Sequence, residues 1–360
     1  MKVLIAAGGT GGHIYPGIAV AKELMERDAS SEVLFVGTAR GLESRIVPDN
    51  GFQLSLIHSA GLKNVGLAGK LKGAAVLPRS FMEARRLLKD FAPDVVVGAG
   101  GYVSGPVLLT ASLMRIPTLV MDSNALPGYT NRRLARFVNK AALTFEEALP
   151  FFGSKGVVAG NPVRKEFFSI AEREPATPIS LLVFGGSQGS RAINNAVVAA
   201  LPELKEMGIH ITHQTGDADL ATVKAAYEAE QYSDADVRPY ISNMMEVVEA
   251  SDIIISRAGA TTCAELAAAG RAAIMIPLPG AADDHQRKNA EALVKKGAAR
   301  MILQAELSGV RLVEELKELT NDLNTLEEMG RAARSLARPD ASAAIADLIE
   351  GLAEARNGRK

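Results

Sequence analysis

The stretch Val3-Leu4-Ile5-Ala6-Ala7-Gly8-Gly9-Thr10-Gly11-Gly12-His13 sets an apolar run directly before a glycine-dense turn. A buried parallel strand reads as such a run, and glycines at its carboxyl end let a ligand reach bare backbone N–H groups. The pattern recurs twice. Val95-Val96-Val97 leads into Gly98-Ala99-Gly100-Gly101-Tyr102, and residues 179–184 lead into Gly185-Gly186-Ser187-Gln188-Gly189. Where a helix follows such a turn, its free amides and dipole favour an anion, usually phosphate. Two such turns in the first half and one opening the second point to a phosphorylated ligand held between two α/β domains.

Spacing excludes the common alternatives. A dinucleotide fingerprint needs G-x-G-x-x-G, but counting from Gly9 and Gly11 ends on Ile14, and from Gly98 and Gly100 on Val103. The expected second strand, 32–37, runs into Thr38-Ala39-Arg40, with no acid for a ribose hydroxyl. A P-loop fails because Ile18-Ala19 follow Gly17 where lysine and a hydroxyl are required.

A chain of 360 residues exceeds what one core usually serves, so two domains are expected. Forty basic against 41 acidic residues leave a net charge of −1, which argues against broad nucleic-acid binding. The single Cys263 excludes an intrachain disulfide framework and a cysteine-based zinc site. A strand starting at Lys2 leaves no room for a signal peptide, so a cytoplasmic setting is expected. No apolar run reaches the ~18 residues of a spanning helix, so membrane contact must be peripheral.

Apolar runs alternate with amphipathic segments throughout, the pattern of parallel sheets with helical crossovers. Strands are expected at 2–7, 32–37, 53–57, 95–98, 118–121 and 140–144, then at 179–184, 209–214, 237–240, 253–256, 273–276 and 299–302. Helices are expected at 18–27, 81–89, 192–207, 220–230, 262–269 and 290–296. The polar stretch Arg173-Glu174-Pro175-Ala176-Thr177-Pro178 suits a linker or a first loop. Past Arg338-Pro339, Asp340 caps a further helix, 341–355.

Seven motifs in register carry a resemblance. They are Gly8–His13 with Pro16-Gly17, Gly100-Gly101-Tyr102-Val103-Ser104-Gly105-Pro106, Gly160-Asn161-Pro162-Val163-Arg164, Gly185–Gly189, Arg257-Ala258-Gly259-Ala260, Glu265-Leu266-Ala267-Ala268-Ala269-Gly270, and Asp284-His285-Gln286 with Asn289-Ala290. Together they resemble the MurG family of bacterial N-acetylglucosaminyltransferases, glycosyltransferase family 28. The resemblance implies a GT-B fold: two doubly wound Rossmann-like α/β domains whose parallel sheets face across a cleft. An acceptor-binding, membrane-associated domain would span 1–163, a UDP-sugar domain 164–338, and a helix over 339–360 would return to the first domain.

The implied reaction is inverting transfer from UDP-N-acetylglucosamine to the muramoyl sugar of undecaprenyl-pyrophosphoryl-muramoyl-pentapeptide. It makes a β-1,4 linkage and needs no cofactor or metal. By the same resemblance Thr10, Gly11, Gly12, Asn124, Arg164, Ser187, Ile241, Ala260, Thr261, Thr262, Glu265 and Gln286 bind the donor. Arg164 and Ser187 would contact the nucleotide sugar, the Ile241 backbone uracil, and Gln286 the N-acetylglucosamine hydroxyls. The family pattern His-Glu-Gln-Asn after the fifth strand reads Met121-Asp122-Ser123-Asn124 here, keeping an acid and the asparagine.

Physical chemistry supports several roles independently. Imidazole titrates near neutral pH, so His13 could take the proton that an attacking sugar hydroxyl sheds, with Asp122 as the rival base. The amides of Ala260, Thr261 and Thr262 open a helix and suit phosphate, and Glu265 one turn on could accept two ribose hydroxyls. A UDP-sugar 2-epimerase or a silent UDP-sugar-binding module would share the nucleotide site, though the first two glycine turns fit the transferase better.

Asp217-Ala218-Asp219 and Asp234-Ala235-Asp236 mimic a D-x-D metal motif but sit in polar loops. Asp283-Asp284-His285 lacks a further ligand, and His210 and His213 face opposite sides of a strand. Lys63, Lys70, Lys72, Arg79, Arg85 and Arg86 are interleaved with Leu67, Leu71, Val76, Leu77, Phe81 and Met82, which suits the anionic inner face of the cytoplasmic membrane. Gly66, Gly69 and Gly73 are expected to keep the start of that segment a mobile loop.

Overall fold

Strands buried on both faces need helical crossovers to stay parallel, and the alternation of apolar runs and amphipathic segments supplies them twice. The computed structural model describes residues 1–39, 41–59, 67–175 and 177–358. The chain divides into two units, Met1–Val163 with Arg338–Lys360, and Arg164–Ala337.

The first unit runs β1 (Lys2–Ala7), α1 (Gly11–Arg27), β2 (Glu32–Gly37), α2 (Glu43–Asp49), β3 (Gln53–Leu56) and α3 (Leu67–Phe91). It continues with β4 (Val95–Gly100), α4 (Ser104–Leu113), β5 (Thr118–Asp122), α5 (Tyr129–Leu134), β6 (Lys140–Leu143) and β7 (Gly156–Val158). All pairings are parallel, in the order β3-β2-β1-β4-β5-β6-β7. The two-residue period splits β1 between two cores. Val3, Ile5 and Ala7 pack with α1, and Leu4 and Ala6 pack with α4 residues such as Val107 and Leu108.

The second unit runs β8 (Ser180–Phe184), α6 (Arg191–Glu206), β9 (His210–Gln214), α7 (Leu220–Ala229), β10 (Ala235–Arg238), α8 (Met244–Ala250) and β11 (Ile253–Ser256). It continues with α9 (Ala260–Ala269), β12 (Ala272–Met275), α10 (His285–Lys295), β13 (Arg300–Met301), α11 (Gly309–Thr320) and α12 (Leu323–Ser335). Its order, β10-β9-β8-β11-β12-β13, is again parallel throughout. The chain then returns to the first unit as α13 (Ala341–Asn357), which buries Ile345, Ala346 and Ile349 among Val3, Ile5 and Val97. Each isoleucine so buried contributes roughly 1.5–3 kcal/mol. Arg27 of α1 ties the docking down with bonds to Asp347 at 2.6 Å and Glu350 at 2.8 Å.

Helices α1, α10 and α3 start several residues before the expected positions. Helix α1 begins at Gly11, because Pro16 lies inside the helix without ending it, so Gly11, Gly12 and His13 form its first turn. Helix α10 begins at His285, after Asp283 and Asp284 in left-handed conformation, which brings Gln286 into its first turn. Helix α3 begins at Leu67, correcting the loop expected through Gly73. The ~1 kcal/mol that each of Gly69 and Gly73 costs does not end the helix there. The short strand β7 was not expected at all.

His213 of β9 is fully buried, with Nδ1 3.2 Å from the Tyr227 hydroxyl and Nε2 3.1 Å from Asn194 Oδ1. Asn194 Nδ2 donates to the Thr215 carbonyl at 2.9 Å, so its Oδ1 must accept from Nε2–H, and the Tyr227 O–H must donate to Nδ1. These partners satisfy a neutral ring, and burial pushes the imidazole down from 6.5 to about 4. An unfolded chain gains this proton as pH falls through 6.5, while the folded one stays neutral until about 4. The stability His213 contributes is therefore complete above pH 6.5 and lost as pH falls towards 4. Urea unfolding across that window should show the wild type losing about 3 kcal/mol more than His213→Gln. Parallel losses in the two proteins would refute the assignment.

Candidate functional site

Ligands of open parallel sheets bind outside the carboxyl ends of the strands, where the strand order reverses. In the first unit that point lies between β1 and β4, and both strands end in glycine turns. Gly101, at φ +82°, lies so close that a β-carbon there would stand 2.2 Å from the Gly8 carbonyl oxygen. The fully buried Ser104 hydroxyl locks the pair, donating to the Ala6 carbonyl at 2.9 Å and accepting the Gly100 N–H at 3.1 Å.

His13 lies in this turn with its ring against the Gly100 backbone, where a β-carbon would stand 2.4 Å from its Cδ2. Its Nδ1 faces the Gly8 carbonyl at 3.2 Å and the Thr10 hydroxyl at 3.4 Å. A carbonyl oxygen can only accept, so that bond puts the proton on Nδ1 and leaves Nε2 as the basic position of the neutral ring.

Asp122 ends β5, 5% exposed. It accepts from the Asn131 amide at 2.8 Å, the Gly128 N–H at 3.0 Å and the Asn124 N–H at 3.1 Å. Burial pushes its carboxyl up, against the pull of these donors and of the His13 imidazole. Its bonds hold residues 124–131 in place, so Asn124 is positioned by its own backbone. A small cavity beside them is lined by Gly12, Asp122, Ser123, Thr144, Asn161 and Pro162. The Asn161 Nδ2 is buried without a hydrogen-bond partner.

In the second unit the reversal lies between β8 and β11. Helix α9 follows β11, and the amides of Ala260, Thr261 and Thr262 lie in its first turn. The Thr261 hydroxyl is buried with no partner, an unspent polar group at a helix N-terminus. Arg164 and Glu265, 101 residues apart, meet at 3.3 Å, and the guanidinium lies over the Phe167 ring at 4.7 Å. Burial pushes the Glu265 carboxyl up, and Arg164 opposes it. Ser187 is exposed in the β8 turn. The Gln286 Oε1 accepts the Leu278 N–H at 2.9 Å.

Sequence reasoning gave no role to three residues that shape this unit and the first. Gln214 donates to the Gly186 carbonyl at 2.9 Å and accepts the Ile241 N–H at 2.8 Å, tying together the loops that carry Ser187 and Ile241. Arg257 donates to the carbonyls of Ile276 and Pro277, the Ser190 hydroxyl and Gln304, joining the ends of four segments. Glu43 is an acid near the end of β2, but it is not open to a ribose hydroxyl. It arrives from α2, fully buried, and turns towards Gly9 and Thr38. The flanking Gly37 and Gly41 were the only signal for it.

Among the described residues no group of three or more His, Cys, Asp or Glu could hold a metal ion. Asp219 accepts from Arg191 and Asn194, Asp236 pairs with Arg238, and Asp234 with His210. Cys263 is buried, its thiol pushed up to about 12.

Residues 3–143 match the family model for the glycosyltransferase family 28 N-terminal domain, and residues 180–346 the C-terminal domain. The chain is 48% identical over 356 residues to a protein of Geotalea uraniireducens, covering 96% of this chain and 97% of the relative. It is 46% identical over 355 residues to one of Geobacter sulfurreducens, covering 96% and 97%. Both relatives are named UDP-N-acetylglucosamine–N-acetylmuramyl-(pentapeptide) pyrophosphoryl-undecaprenol N-acetylglucosamine transferase. The crystal structure of Acinetobacter baumannii MurG superposes with a TM-score of 0.82 at 32% identity, over 97% of this chain and 99% of that one. A kitacinnamycin glycosyltransferase shares the fold at 17% identity, with a TM-score of 0.75 over 98% of each chain.

Proposed function

The chain belongs to glycosyltransferase family 28 and, within it, to the MurG transferases, and from that membership we propose the reaction it performs. It transfers N-acetylglucosamine from UDP-N-acetylglucosamine to the muramoyl sugar of undecaprenyl-pyrophosphoryl-muramoyl-pentapeptide, converting lipid I to lipid II. The step serves peptidoglycan synthesis, and through it cell shape and division.

The observation that carries this reading is the cluster at the start of α9. First-turn amides, an unpartnered Thr261 hydroxyl and the Arg164–Glu265 pair together offer donors for a diphosphate and a carboxylate for a ribose. Ser187, the Ile241 backbone and Gln286 complete the donor site. Thr10, Gly11, Gly12 and Asn124, on the first unit, contribute further polar contacts.

The acceptor hydroxyl attacks the anomeric carbon as the bond to UDP breaks, inverting the configuration to β, and its proton passes to His13 Nε2. Helix amides and Arg164 stabilise the charge on departing UDP, as fixed donors can without reorganising. Asp122 is the second reading for the base, but three donors from its own loop already occupy it. A radiolabelled transfer assay with UDP-N-acetylglucosamine and lipid acceptor tests the reaction as a whole. Conversion of the donor to an epimeric UDP-sugar without acceptor would favour an epimerase.

Docking at the membrane fits the surface of α3. Met82 is 67% exposed beside exposed Arg79, Arg85 and Arg86, whereas Leu88 is buried in the core. The side chains of Lys63, Lys70 and Lys72 lie outside the described residues. Among the described residues no helix is long and apolar enough to cross a membrane.

Glu265→Ala should weaken UDP binding about tenfold or more, since each bond to a charged group contributes roughly 1.5–3 kcal/mol. Calorimetric titration checks it, and an unchanged affinity rejects the ribose role. His13→Ala should lower turnover ~10²–10⁴-fold with little change in donor affinity. Near-normal turnover there, with a loss in Asp122→Asn, would transfer the role to Asp122. Replacing Lys70, Lys72 and Arg79 with glutamate should abolish sedimentation with anionic vesicles and leave UDP binding intact. Full sedimentation of that variant would rule the patch out.

A further inference from the structure

Glu43 takes no part in the reaction described above, yet it is a fully buried carboxylate placed directly behind the His13 turn. Its Oε1 accepts from the Thr38 N–H at 2.8 Å and the Thr38 hydroxyl at 2.9 Å. Its Oε2 accepts the Gly9 N–H at 2.9 Å. Three glycines make room for it. A β-carbon at Gly37 would stand 2.3 Å from its Cγ, one at Gly41 1.9 Å from Oε2, and one at Gly8 2.9 Å from Oε1. Burial alone would push the carboxyl up, but the donors from Thr38 and Gly9 hold it below the usual carboxylate range. It is therefore ionised wherever an imidazole titrates.

The Gly9 N–H and the Gly8 carbonyl belong to one peptide group. On one side that group donates to Glu43, and on the other its oxygen faces His13 Nδ1 at 3.2 Å. Hydrogen bonds in such a chain polarise one another, so an anion at the N–H makes the carbonyl oxygen a stronger acceptor. The path runs from carboxylate to peptide to imidazole.

We propose that Glu43 is a positioning residue for the general base, acting through the Gly8–Gly9 peptide to fix the His13 proton on Nδ1 and strengthen Nε2 as a base. This rests on His13 being the base. As the acceptor oxygen bonds to the anomeric carbon and the bond to UDP breaks, the hydroxyl proton moves to Nε2. The resulting imidazolium keeps its Nδ1–H on the Gly8 oxygen, Glu43 compensates its charge, and no proton reaches Glu43. Other groups bearing on His13 include Asp122 from β5, the Thr10 hydroxyl and the Gly100 backbone of β4. Asp122 also favours the imidazolium, so Glu43 accounts for part of the effect.

The test uses the full chain labelled with ¹⁵N, with the His13 resonances assigned by difference from His13→Ala. Wild-type His13 should be the Nδ1–H tautomer in its neutral form, and an Nε2–H tautomer overturns the proposal without any Glu43 variant. In Glu43→Gln, His13 should titrate about one pH unit lower, the shift expected for losing one nearby buried charge. The acidic limb of the kcat profile should move with it, while UDP affinity stays unchanged. Thr38→Ala disturbs the same turn but keeps the charge, and should leave the limb in place. A fall in kcat in Glu43→Gln with an unmoved limb means a purely structural role and overturns the relay alone. Normal turnover in His13→Ala overturns the base, and the relay with it.

Discussion

The contact on which the first unit depends is one between two backbones. The turn after β4 meets the turn after β1 so closely that Gly101 cannot carry a β-carbon beside the Gly8 carbonyl. That approach follows from the strand order, because β1 and β4 are neighbours whose crossovers leave in opposite directions. Between them opens the crevice, and the residues that enter it belong to whichever segment begins there. On β1 that segment is the first turn of α1, so His13 is held by covalent geometry and by Gly8 instead of by a flexible loop.

Buried charge is handled differently in the two units. In the first, Glu43 accepts from Thr38 and, across to the turn after β1, from Gly9, while Asp122 accepts from the loop and helix that follow it. In the second, buried cations donate to carbonyls. Arg271, pushed down to about 10 by burial, bonds to the carbonyls of Val248, Ala171, Ala269 and Glu249, and Arg257 reaches those of Ile276 and Pro277. Such networks cost desolvation and return geometric definition, because each donor direction is fixed by a planar guanidinium. The Arg164–Glu265 pair stands apart. It is partly exposed, with a single 3.3 Å contact.

The sequence alone determined the class of fold and marked the strand ends where backbone meets backbone. Continuous apolar runs such as 95–97 can be satisfied only by burial on both faces, and glycine clusters behind them mark the ends where backbone must approach backbone. Those signals are local, so they are legible in a linear string. Tertiary structure decided what depends on distant segments meeting. Glu43 was invisible because its role needs residues 9, 37, 38, 41 and 43 in one place, and a glutamate in a helix reads as a surface residue. Gln214 was missed for the same reason, its two partners being 28 and 27 residues away. The start of α1 at Gly11 was also hidden, since glycine and proline argue locally against a helix that packing against β1 and α13 sustains.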